Sequence, residues 1–114
     1  MLENYKPVIL PEAQKDIRDI VLYIASELAA PQAALGLQDA FEEEIKSLSH
    51  MPDRVRLVEE QPWKDAGVRK TRVKNYYIYF VISEAAKEVR ILAVIYVGRE
   101  QRRQMAERRL ERKE

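Results

Sequence analysis

The chain has 114 residues, 46% of them hydrophobic, with 20 Lys or Arg against 19 Asp or Glu. That length fits one domain spanning residues 1–114, and a chain of this size buries roughly 65% of its unfolded surface, enough for one core without staples. Zero cysteines exclude disulfides and thiolate sites, and His50 alone makes no histidine metal centre, so neither metal nor cofactor is expected. No apolar run approaches the ~20 residues that cross a bilayer. Neither a signal peptide nor a membrane span is therefore expected, and the default location is cytoplasmic.

The net charge of +1 hides a split: residues 1–50 carry −5 and residues 51–114 carry +6. An acidic half and a basic half give one molecule two unlike surfaces, and the basic one suits a nucleic acid or an acidic protein.

In chain order, Tyr5 to Leu10 is short and β-compatible, with Pro7 confining it to a sheet edge or a strand start. Pro11 suits a first helical position. Ile17, Ile20, Val21, Ile24 and Leu28 then repeat at helical spacing, predicting a helix over 11–28 that Ala29-Ala30-Pro31 ends. Ala34, Leu37, Phe41, Ile45 and Leu48 predict a second helix, stopped by His50-Met51-Pro52. Two helices so joined form an antiparallel hairpin whose apolar stripes need a sheet to lie on. Residues 53–67 are the least regular; Val55 to Val58 reads as a short strand, and Trp63 as the anchor of the loop after it.

Three strands come next: Val68 to Val73, Tyr76 to Ser83 and Val89 to Val97, with tight turns at Lys74-Asn75 and Glu84 to Glu88. The last two are apolar on both faces, so whatever side the helices leave open needs its own cover. Beyond Gly98, residues 99–114 are almost all charged, with Met105 and Leu110 their only large apolar residues. A basic C-terminal helix is expected there. The fold class that results is α+β: an N-terminal strand, and a helical hairpin packed on a small antiparallel sheet.

Strand alternation sets Lys70 and Arg72 on one face and Arg69 and Thr71 on the other. Two cations two residues apart suit phosphates. Tyr76, Tyr77, Tyr79 and Tyr96 add rings on which bases stack. Arg99, Arg102 and Arg103 come after the last strand, with Glu100 the one acid among them. The competing reading makes the tyrosines ordinary half-buried strand residues and the cations solvated edge charges.

PEAQKDIRDIVLYIA, AFEEEIKSLSHMPDR, GVRKTRVKNYYIYFVI and VRILAVIYVGRE, in that order and spacing, resemble the RelE/ParE superfamily of toxins from bacterial type II toxin–antitoxin modules. The resemblance runs from about Val8 to Arg99. It implies a growth-inhibiting toxin neutralised by a cognate antitoxin, with operator DNA reached only through that antitoxin. A ParE-like member inhibits DNA gyrase; a RelE-like member enters the ribosome and cleaves mRNA. The first helix and the ending Tyr96-Val97-Gly98-Arg99-Glu100 resemble the ParE pattern, with Tyr96 where a histidine stands in the family. On the RelE pattern Lys70, Arg72, Arg99 and Arg102 would be catalytic. Tyr77, Glu100 and Ala106 depart from that pattern. The expectation is accordingly a ParE-like gyrase inhibitor, with a ribosome-dependent mRNA endonuclease or an inactive antitoxin-binding relative as the alternatives.

Overall fold

The computed structural model describes residues 4–98. Strand β1 (Lys6–Ile9) leads into helix α1 (Pro11–Leu22), and helix α2 (Pro31–Ser47) returns antiparallel to it. Strands β2 (Arg69–Val73), β3 (Tyr76–Ser83) and β4 (Glu88–Tyr96) complete a four-stranded sheet in the order β1-β4-β3-β2. β2, β3 and β4 are antiparallel, as their tight turns require; β1 adds parallel to β4, so the sheet is mixed. A parallel edge needs a crossover connection, and the chain from α1 through β3 supplies it. The expected basic C-terminal helix lies outside the described residues.

The periodicity of α2 buries Ala34, Leu37, Phe41 and Ile45 against the sheet, and Leu48 is buried just past its end. Leu37, Phe41, Ile45 and Leu48 meet Val73, Ile78, Phe80, Val89, Ile91 and Val94 in the main core. Phe41 stacks on Tyr76 with ring centroids 5.6 Å apart. From α1, Asp16 accepts the Val94 N–H at 2.9 Å and ties helix to strand.

Helix α1 departs from the expected 11–28. At Tyr23–Glu27 it widens into a π-helical turn in which the Leu28 N–H donates to the Tyr23 carbonyl. One extra residue in that turn rotates the residues beyond it about the helix axis. Leu28, expected on the buried stripe, is turned outward and is 55% exposed.

β4 contains a second irregularity. Tyr79 pairs with Ala93 but Phe80 with Ile91, which leaves Leu92 as a bulge. The bulge switches the side-chain parity, so Val89 and Ile91 before it and Val94 after it all face the helices. Ala93 and Ile95 face the other way, with Tyr79.

That opposite face carries a smaller core of its own, made by Val58, Trp63, Val68, Tyr79, Ala93 and Ile95. Its cover is the irregular segment itself, anchored by Trp63 as the sequence suggests. The expected strand at Val55 to Val58 is only a 3-10 turn at Pro52–Arg54 and a single bridge between Leu57 and Arg69. The indole N–H of Trp63 is buried without a hydrogen-bond partner among the described residues.

Candidate functional site

The register of β2 against β3 sets Lys70 opposite Tyr79 and Arg72 opposite Tyr77. All four side chains therefore project from the face the helices do not cover. The Lys70 ammonium lies 4.2 Å from the Tyr77 ring centroid and 5.9 Å from that of Tyr79. The Arg72 guanidinium carbon lies 6.0 Å from the Tyr77 ring. A cation over a ring at an exposed site contributes about 0.5–1 kcal/mol, enough to hold the pair in place but weaker than a buried ion pair. Among the described residues neither cation forms an ion pair. Arg72 instead donates from Nε to the Lys74 carbonyl at 2.8 Å, which aligns its guanidinium along the strand.

Arg69 and Thr71 project to the helix side, as alternation requires. The Arg69 guanidinium donates to the Val55 and Asp53 carbonyls, and the Thr71 hydroxyl donates to Glu44 at 2.7 Å. These contacts fasten the edge strand to the loop and to α2, so Arg69 is structural.

Lys70 also lines an open cleft of about 510 Å³ with Arg54, Arg56, Glu59 and Glu60. Arg54 is committed to the end of α2, where it donates to the His50 and Met51 carbonyls and to the Ser47 hydroxyl. Arg56 has no such partner among the described residues and adds a third cation to the face. Sequence reasoning missed it. Its neighbourhood with Lys70 comes from the bridge between Leu57 and Arg69, a contact between segments far apart in the chain. The alternation of Val55, Arg56 and Leu57 was the one local hint.

Of the four tyrosines expected beside the cations, Tyr77 and Tyr79 are there. Tyr76 and Tyr96 are not: Tyr76 packs on Phe41 and Tyr96 meets Tyr76 edge-on, both on the helix side. Burial pushes the Tyr79 phenol well above the ordinary tyrosine range, and Glu60 and Tyr77 act in the same direction. Tyr79 is thus held neutral. His50 sits apart, exposed at the exit of α2 and bridged to Asn4. Arg99, Arg102, Arg103 and Glu100 lie outside the described residues. No three His, Asp or Glu side chains gather as a metal site would need among the described residues.

An anionic group fits this face by charge and a planar or apolar group by stacking. Two layers, a helical hairpin on one side of a four-stranded sheet and a cationic, aromatic surface on the other, define a class of small α+β proteins with known members.

The sequence matches the ParE toxin of the type II toxin–antitoxin system parDE over residues 8–103, and the chain belongs to that family, within the RelE/ParE superfamily. No curated protein matches it. Among solved structures it is similar to the chromosomal ParDE system of P. aeruginosa, at 21% identity and a TM-score of 0.68, covering 82% of this chain and 97% of that one. It is similar to the RelBE2 toxin–antitoxin complex of Mycobacterium tuberculosis, at 19% identity and a TM-score of 0.58, over 82% and 92% of the two chains. A doubly substituted E. coli RelE in the free state gives 13% identity and a TM-score of 0.63, over 94% and 98%. At these identities the structures establish the fold. The chain is a toxin of a type II toxin–antitoxin module.

Proposed function

We propose that the chain arrests growth as a ParE-like toxin, by binding DNA gyrase in the cytoplasm. One observation carries this reading beyond the family itself. Where the two helices join, Leu22, Tyr23, Leu28 and Leu35 are each more than half exposed. Large apolar side chains held in water mark a surface for another protein, not a centre for cleaving a small bond. The π-helical turn that exposes Leu28 is a built feature of that surface.

A second reading has its own support. Lys70 and Arg72, stacked over Tyr77 and without an ion pair among the described residues, suit the phosphates and bases of a single strand, as a ribosome-dependent mRNA endonuclease requires. Arg99 and Arg102 belong to that reading as further catalytic candidates. Induced expression with parallel readouts of plasmid supercoiling and transcript integrity separates the two. Loss of supercoiling with intact transcripts supports gyrase; truncated transcripts with normal supercoiling support the nuclease. Harmless expression without antitoxin would make the chain an inactive relative.

We place the antitoxin on the cationic face of the sheet. An acidic segment with apolar residues complements the face of Lys70, Arg72 and Arg56 by charge and by contact with Tyr77.

A further inference from the structure

Gly36 works against the helix it sits in, because glycine inside a helix destabilises it relative to alanine. The chain supplies no steric reason for it. Gly36 is not among the positive-φ residues, and nothing lies within 4 Å of where its β-carbon would sit. Over it is an open hollow of about 380 Å³. Ile24, Ala33, Gly36 and Leu37 line the hollow from the helices, and Lys74 and Tyr76 line it from the end of the sheet. Tyr76 makes a firm wall, stacked on Phe41 and met edge-on by Tyr96. Burial raises the Tyr76 phenol above its ordinary range, and Tyr96 and Tyr23 act in the same direction, so the exposed Tyr23 stands beside the hollow. Lys74 forms no ion pair among the described residues.

We propose that this hollow seats one large apolar side chain of the target protein, and that Gly36 serves to keep it open. Binding energy in a protein interface concentrates in a few large side chains seated in pockets, with near-neutral contacts around them that exclude water. Leu22, Tyr23, Leu28 and Leu35, all exposed at the same end of the hairpin, supply that surround. A small molecule is a poorer occupant: a hollow this open would leave much of it in water, whereas an anchoring side chain arrives with the protein surface around it. Lys74 at the rim adds charge to the choice, since a carboxylate beside the anchor complements it. The inference rests on the reading above that this end of the hairpin grips a target, and it adds the socket and the residue that shapes it.

The test fills the hollow without weakening the fold. Gly36→Ala and Gly36→Leu, in the full chain, should melt at or above the parent temperature, because each replaces glycine with a better helix former. Growth arrest on induction should nevertheless weaken from parent to Gly36→Ala to Gly36→Leu. Purified gyrase should bind Gly36→Leu about tenfold or more less tightly, the effect of blocking an anchor site. Antitoxin affinity should stay as it was. Function lost while stability is gained is a result that a merely structural role for Gly36 would not give. Should Gly36→Leu melt lower than the parent, Ala33→Leu fills the same hollow from an exposed position one turn earlier. Lys74→Glu should slow association and reverse its salt dependence. Full growth arrest by both filled variants overturns the socket. An antitoxin affinity that falls with them, or a dimer of the parent chain that they abolish, overturns the choice of occupant. Arrest relieved by Gly36→Leu, with supercoiling untouched by the parent, keeps the socket and retires gyrase; blocked supercoiling that Gly36→Leu does not relieve does the reverse. A harmless parent chain overturns both.

Discussion

Lys70 and Arg72 hold their places by stacking on Tyr77 and by one hydrogen bond to the Lys74 carbonyl, with no ion pair among the described residues. Replacing both with Ala should therefore lower the unfolding free energy in urea by about 1–2 kcal/mol, one exposed cation–ring contact for each. Antitoxin affinity should fall and lose much of its salt dependence, which a titration at two ionic strengths reads. At the other end of the sheet, the exposed Glu84 carboxyl is held below the usual carboxylate range, first by the Tyr5 hydroxyl at 2.9 Å and then by Lys87. A depressed folded pKa adds stability above the unfolded value, and that stability is lost as pH falls through the folded one. Tyr5→Phe should raise the Glu84 midpoint toward the ordinary range, as carbon-detected NMR would show; an unmoved midpoint would deny the hydrogen bond. The period of two in a strand was enough to place Lys70 and Arg72 on one face from sequence. It could not say which tyrosines join them. Register decides that, since it sets Tyr79 opposite Lys70 and sends Tyr76 to Phe41.

The elements were legible where a period runs unbroken. In α2 every residue of the apolar stripe is buried, because nothing interrupts its 3.6-residue repeat. In α1 the same repeat fails at the π-helical turn, and in β4 the two-residue repeat changes phase at Leu92. Each insertion leaves composition untouched, so neither can be read from residue types alone. The parallel pairing of β1 was equally hidden, since it joins segments about 80 residues apart. Two backbone positions yield measurable consequences. Gly36 lies inside α2 with nothing within 4 Å of where a β-carbon would sit. Gly36→Ala should stabilise the chain by about 0.5–1 kcal/mol, the usual cost of a glycine in a helix. Ala29, at the helix junction, has φ of 49°, a conformation that costs an L-residue about 1–2 kcal/mol. Ala29→Gly should recover part of that, read as a higher urea midpoint at constant slope. Gly98 lies so close to the Tyr96 ring that a β-carbon there would collide with it.

At the scale of the molecule, the sheet separates two surfaces. The helical hairpin packs Phe41 into the main core, and Phe41→Ala should cost about 3–5 kcal/mol, a large share of a domain's stability, read as a lower urea midpoint. The same hairpin exposes Leu22, Tyr23, Leu28 and Leu35 at its joined end. Leu28→Ser with Leu35→Ser should leave the fold in place and abolish growth arrest, if that end grips the target. The most direct measurement is a supercoiling assay with purified gyrase, relaxed plasmid and a saturating excess of the chain. Blocked supercoiling with trapped, cleaved DNA is the predicted result, relieved when the antitoxin is added. Full supercoiling at saturation would contradict a gyrase-directed toxin.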